Sequence, residues 1–421
     1  MSHLPLTAAA SLVVLSGLAF ADELPQIEVK HASPLIQTIE RPAPANFQPG
    51  LLTLESENGH TLHGQVNAVQ KGESVLRLVL PPDFPAGTFS LSHAAPPLAT
   101  DAPGFSSAHE EGKITVSRSG DADAPPTFSF QAEPLAAPDG GPRYAGSSFI
   151  HPFTTPGGHP LTMIQPGDHR HHFGVWWPWK YLDVGDSRHN TWEIQNNQGR
   201  LVCREVRPWH GPVAAGLEAA NMFEVIDGRG VSDAVAQYAS ISTWQHPAHP
   251  EGGRHLDIRL LDHAVADQPV VAPNYRYSGF ALRGPQHWTA ANSTILTSAG
   301  HDRDSGHATQ AEWVLVNAVS EEGTDVSVLM LSRAASLHGN AEHLRLWGSD
   351  NNNGRVFINF NPVAREPLAL PTRASEAFER NYRLVASDRH LTAEEATAIH
   401  RAWIEPPALV TATDPAKDPA P

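Results

Sequence analysis

Short runs of alternating or β-branched residues, each cut off by Pro, Gly, Asp or Asn, recur along this chain, and helical periodicity is almost absent. A strand sends successive side chains to opposite faces and packs branched ones well, so the pattern predicts antiparallel strands joined by turns. Ser74 to Leu80, Lys113 to Ser117 and Thr127 to Gln131 come first; Val235 to Trp244, Leu256 to Leu261, Glu312 to Val316, Val326 to Leu331, Arg355 to Phe360 and Asn381 to Val385 follow. The expected fold is all-β: a large antiparallel β-sandwich with a small N-terminal β-domain and one C-terminal helix. That helix is signalled by a capping box, Thr392 with Glu395, ahead of Ala396 to Trp403, and it is ended by Pro406 and Pro407. No fixed-period repeat is present, which argues against a propeller or solenoid.

Residues 1–21 read as a signal peptide, with an apolar run from Ala8 to Phe20 and an A-x-A site, Ala19-Phe20-Ala21, before Asp22. Export to the periplasm or the cell exterior is therefore expected, with no membrane span in the mature chain. Pro/Gly/Asp-rich stretches at Asp121 to Pro126 and Pro134 to Pro142 predict a boundary between a small β-domain over residues 22–133 and a large β-sandwich over residues 144–404. Residues 405–421 are expected to be a disordered tail. With 45 acidic against 29 basic residues and a formal charge of −16, the chain is expected to repel nucleic acid. Cys203 is the only cysteine, which rules out an intramolecular disulfide, and the apolar run Leu201-Val202-Cys203 reads as a buried thiol.

Chemistry concentrates in one stretch. Five of the 24 histidines lie from His151 to His172, and five of the ten tryptophans from Trp176 to Trp209. On an extended strand His169 and His171 share a face, a spacing that lets two imidazoles reach one metal ion or one substrate oxygen. As a metal site the pair needs a third ligand, with His151, Asp168, Glu193 and His301 as candidates. As an acid/base site, His151, His169, His171, His172 and Glu193 move protons while Arg283 or Arg170 stabilises negative charge. Trp177, Trp179 and Tyr181 share a strand face and offer either a platform for sugar rings or core filling. No Walker loop, H-E-x-x-H, G-x-S-x-G or dinucleotide fingerprint is present.

Phe149-Ile150-His151-Pro152, followed by Asp168-His169-x-His171-His172-x-Gly174-Val175-Trp176, resembles the bacterial PmoA-like family labelled "methane oxygenase PmoA". The resemblance runs from about Gly50 to Trp403 and includes Tyr277 to Arg283, Ala311-Glu312-Trp313 and Asn359-Phe360-Asn361-Pro362. It implies an exported protein with this fold and site more than it implies a reaction. Arg170, where a smaller or neutral residue is expected, and Phe173, where histidine is expected, depart from the pattern.

Three functions are consistent with these features. The leading one is a carbohydrate-active enzyme, a hydrolase, lyase or epimerase, that uses histidine acid/base chemistry on a glycan or sugar derivative, so the expected partner is a small-molecule or glycan ligand. A divalent metal held by His169, His171, Asp168 and His301 is the candidate cofactor. The second is a metal-dependent oxygenase, as the family label suggests. The third is a non-catalytic glycan-binding protein.

Overall fold

The computed structural model describes residues 26–30, 37–43, 49–68, 74–81, 83–93, 104–119, 125–138, 141–244, 253–333, 341–404 and 409–411. The signal peptide expected over residues 1–21 lies outside the described residues. The fold is all-β and antiparallel, and among the described residues Ala393–Ile404 is the one α-helix. It starts as the capping box requires: Glu395 N donates to Thr392 Oγ1 (3.2 Å) and Thr392 N to Glu395 Oε2 (2.8 Å).

The body is a sandwich of two sheets. In the nine-stranded sheet the order is Gln310–Ala311, Glu342–Leu346, Phe357–Asn361, Phe280–Arg283, Val175–Trp176, Phe149–Phe153, Phe128–Gln131, Lys113–Arg118 and Phe105–Glu110. The eight-stranded sheet runs from Gly199–Trp209 through the long strands Ala214–Asp227, Gly230–Trp244, Arg254–Ala264 and Phe378–Ser387 to Ser293–Thr297. The later strands expected from the sequence are all present, several of them longer at both ends. Ile150, Val175, Leu282, Ile358 and Phe360 from one sheet and Leu217, Ile241, Ile258, Met330 and Leu384 from the other fill one shared core. Across it, the rings of Phe280 and Tyr382 stack at 4.0 Å, 6° from parallel.

The boundary expected at residue 133 is corrected. Phe105–Glu110, Lys113–Arg118 and Phe128–Gln131 belong to the nine-stranded sheet, and the strands on either side of Asp121 to Pro126 pair directly. Phe105, Ile114, Val116, Phe128 and Phe130 bury their side chains in the sandwich core, so the Pro/Gly/Asp signals mark turns within a sheet rather than a linker. A sheet with its own apolar core does form upstream of Phe105, from six strands between Gln26 and His93. It is tied to the sandwich where Gln65 Oε1 accepts from Val213 N and Ala214 N and the Arg77 guanidinium lies 3.8 Å from the Trp209 ring. Of the tail expected over residues 405–421, Leu409–Thr411 pairs antiparallel with Gln26–Val29 as the seventh, edge strand of that sheet, and the rest lies outside the described residues.

A buried polar knot crosses the apolar core. Arg380 and Asp262, with fully buried side chains, pair at 2.6 Å. Gln237 Nε2 donates to Asp262 Oδ1 (2.7 Å), and Gln237 Oε1 accepts from Trp177 Nε1 (2.7 Å). The Arg380 guanidinium lies 4.4 Å from the Trp179 ring. Trp177 and Trp179 are thus core residues, fully buried, and the sugar-platform role expected of them is corrected. Leaving a charge buried without its partner is costly, so Arg380→Met is expected to lower unfolding stability in urea by about 3–5 kcal/mol. Adding Asp262→Asn, which removes the stranded charge but keeps an acceptor for Gln237, should recover part of that. A loss below about 1 kcal/mol for the single variant contradicts the knot's role.

Candidate functional site

Period-two alternation builds the site on the outer face of the nine-stranded sheet. Ile150, Val175, Leu282, Leu346 and Ile358 face the sandwich core, which turns Phe149, Trp176, Ala281, Phe357 and Trp347 into a second apolar cluster outside it. Arg283 and Arg345 follow the same parity.

Between Phe149–Phe153 and Val175–Trp176 the chain turns instead of running extended. His169 N donates to Pro166 O, and His172 N to His169 O, each at 3.0 Å. This turn, rather than a shared strand face, brings three imidazoles together, with ring centroids 5.7 Å (His169–His171), 4.7 Å (His169–His172) and 5.0 Å (His171–His172) apart. Gly174 ends it at φ +63°, where a Cβ would collide with the Ile150 carbonyl oxygen.

The three histidines open into a cavity of about 250 Å³, walled on its other sides by Trp192, Tyr277, Trp347 and Phe357 and by Glu193, Arg276, Arg345 and Asn352. Asp168 orients one imidazole: its Oδ2 lies 3.3 Å from His169 Nδ1, while Arg283 (2.9 Å) and Arg355 (3.2 Å) hold the same carboxylate. Burial alone would raise the Asp168 pKa, but the His169 hydrogen bond and the Arg283 charge keep it well below the usual carboxylate range. Arg283 is wholly buried and lies 4.7 Å from the Trp347 ring.

On the opposite wall Glu193 is held by Lys180 Nζ (2.8 Å), the Tyr277 hydroxyl (3.0 Å) and Asn190 Nδ2 (2.9 Å). Burial opposes its ionisation, but these hydrogen bonds hold it at about 2, so it is a fixed carboxylate. Burial and the neighbouring His169 push His171 down to about 4, so it is neutral at pH 7. Burial also pushes His172 well down, and its Nδ1 has no hydrogen-bond partner among the described residues.

Of the expected site residues, His169, His171, His172 and Glu193 share this wall, and Asp168 and Arg283 brace it from behind. His151 does not line it; its Nδ1 pairs with Thr162 Oγ1 (2.9 Å). Arg170 belongs to the same turn but not to the wall, and Tyr181 packs edge-on against Tyr275 at 5.1 Å, beside Tyr277. Lys180, Arg276, Arg345 and Trp347 were not expected. Alternation in Glu342-His343-Leu344-Arg345-Leu346 could have signalled Arg345, but Trp347 and Arg276 lie outside any strand pattern.

The residues do not fit the expected metal. Among the described residues no group of three or more His, Cys, Asp or Glu side chains is arranged to hold an ion, Asp168 is taken by two guanidinium groups, and His301 sits in the turn after Ser293–Thr297. Among the described residues no helix is long and apolar enough to cross a membrane.

Residues 122–401 match the model of a family described as "Family of unknown function (DUF6807)". No curated protein matches the chain. An alpha-mannosidase from Enterococcus faecalis V583 is similar in structure at TM-score 0.40 and 9% identity, over 93% of this chain and 46% of that one. A GH36 alpha-galactosidase from Geobacillus stearothermophilus is similar at TM-score 0.32 and 10% identity, over 68% and 41%. A galactose 1-epimerase from Lactobacillus acidophilus NCFM is similar at TM-score 0.30 and 9% identity, over 82% of this chain and 100% of its own. The chain spans less than half the length of the first two.

The buried histidines make stability depend on pH. His151 and His171, both pushed from 6.5 to about 4 by burial, bind protons more readily in the unfolded chain. Their contribution is complete above about pH 6.5 and is lost as pH falls toward 4, by up to roughly 3 kcal/mol each. Urea midpoints measured between about pH 7.5 and 4.5 should fall across that window, and less steeply in His171→Asn. A flat profile contradicts the burial of these rings.

Proposed function

Because this chain belongs to the family of unknown function DUF6807, its activity has to be inferred from its own site, and we propose that it is a carbohydrate-active enzyme that processes a glycan or sugar derivative by histidine acid/base chemistry. The observation that carries this reading is the Asp168–His169 pair, which opens into a cavity with aromatic walls. A sugar presents apolar C–H faces and hydroxyl edges, which suits Trp192, Tyr277 and Trp347 beside imidazoles and a carboxylate. At about 250 Å³ the cavity is below the roughly 300 Å³ at which pockets for drug-sized ligands begin, so it takes one ring-sized unit.

With Nδ1 donating to Asp168, His169 keeps the lone pair of Nε2 for a substrate proton. Neutral His171 is a second proton acceptor beside it. Glu193 already accepts from Lys180, Tyr277 and Asn190, so it positions polar groups on the far wall. The reactions this serves move a proton to or from a sugar oxygen or carbon: hydrolysis, elimination or epimerisation. The leader read at residues 1–21 supports action in the periplasm or outside the cell.

A thermal-shift screen of oligosaccharides tests binding, since a ligand at 100 times its Kd stabilises the fold by about 2.7 kcal/mol. With a hit in hand, His169→Ala should abolish turnover at a stability cost below about 1 kcal/mol, and Asp168→Asn should lower kcat more than it raises KM. Full activity in His169→Ala sinks the acid/base role. Binding of a glycan with no turnover under any condition favours the glycan-binding protein instead.

A further inference from the structure

The charge on the cavity wall is opposite to that of the chain. The protein carries a formal −16, yet the wall holds Arg276 and Arg345 with no carboxylate paired to either among the described residues. Glu193, the one carboxylate in the wall, is neutralised by Lys180 at 2.8 Å, and Asp168 behind it by Arg283 and Arg355. Asp304, which shares a neighbouring cavity with Arg345, accepts instead from the backbone N and hydroxyl of Ser349.

Arg345 is half-buried, and its polar contacts are neutral: NH1 donates to His307 Nε2 (3.2 Å) and to the Leu346 carbonyl (3.4 Å). Arg276 stands at the exposed rim, where it meets ring faces, 5.7 Å from Tyr277 and 5.9 Å from Tyr275. Burial lowers the pKa of Arg345 and of Lys180, and the charge of Arg276 lowers both further. Like charges gathered in one pocket without a counter-ion raise the energy of the free protein, and an incoming anion relieves it. Behind the same wall, Nε and one terminal nitrogen of fully buried Arg283 also lack partners among the described residues.

We infer that the sugar bound here carries an oxyanion, a ring carboxylate or a sulfate ester, received by Arg345 with Arg276 at the rim. This rests on the sugar reading above and narrows it to acidic glycans. A planar guanidinium offers parallel N–H donors that match two oxygens of such a group, and the aromatic wall takes the ring that carries it.

The test uses the full-length protein and isothermal titration with three probe sets: oligomers of uronic acids, their neutral parent sugars, and sulfated oligosaccharides. The uronate or sulfated probes should bind roughly tenfold or more tightly than the neutral ones, and the comparison of those two sets identifies the oxyanion. Arg345→Met should remove that preference, Arg345→Lys should retain part of it, and added salt should weaken it. Neutral sugars binding as tightly as acidic ones, with Arg345→Met indifferent, overturns the oxyanion inference and leaves the sugar reading standing. Binding of free sulfate or small carboxylates that depends on Arg345, with no sugar of any set bound, overturns the sugar reading and keeps the anion site. No binding by any probe overturns both.

Discussion

The fold depends on a salt bridge that water never reaches. Asp262 and Arg380 are both fully buried, and two charges are tolerated there because almost every valence is used: Asp262 accepts from Gln237 and from two guanidinium nitrogens of Arg380. The knot joins adjacent strands of the eight-stranded sheet and reaches across the core to Trp177 through Gln237 and to the face of Trp179 through Arg380. Its consequence lies on the other side of the sheet. Fixing Trp177 inward fixes the parity of Val175–Trp176, and that strand receives the chain straight from the turn that carries His169, His171 and His172. The register of the site is therefore set by a contact in the core, on the opposite face from the chemistry.

Charge is organised by the same principle of pairing. Every carboxylate at the site is committed: Asp168 to Arg283 and Arg355, Glu193 to Lys180. Burial keeps His171 and His172 neutral at pH 7, and His169, hydrogen-bonded to Asp168, is the imidazole placed to accept a proton. Asp168 keeps its charge and is thereby able to orient His169, while the surplus of positive charge on the wall falls to Arg276 and Arg345.

Much of this was legible in the sequence, for identifiable reasons. Strands declare themselves by alternation and by the turn residues between them, so the all-β fold, the late strands and the capped helix at Thr392 were readable locally. The stretch from Asp168 to Trp176 stood out by composition, and its His169, His171 and His172 do line the cavity. What failed were judgements that need tertiary context. Pro/Gly/Asp clusters look alike in a linker and in a sheet turn, so residues 105–131 were assigned to the wrong unit. A run with three tryptophans gives no sign of which face is core; Trp177 and Trp179 went inward because Gln237 and Arg380 await them, and Trp176 went outward. Arg276, Tyr277, Arg345 and Trp347 reach the site from segments more than 100 residues downstream of the histidines, a distance that local pattern does not bridge.

The central claim is that Asp168 holds His169 as a proton acceptor facing a sugar. Long-range nitrogen–proton NMR of the histidine rings, recorded at neutral pH before and after adding an oligosaccharide that binds, tests it most directly. The account predicts a His169 ring that carries its proton on Nδ1, with Nε2 resonating as an unprotonated nitrogen, and an Nε2 signal that moves on addition of the sugar. A ring protonated on Nε2 alone, or an Nε2 resonance that stays in place while the sugar binds, contradicts it.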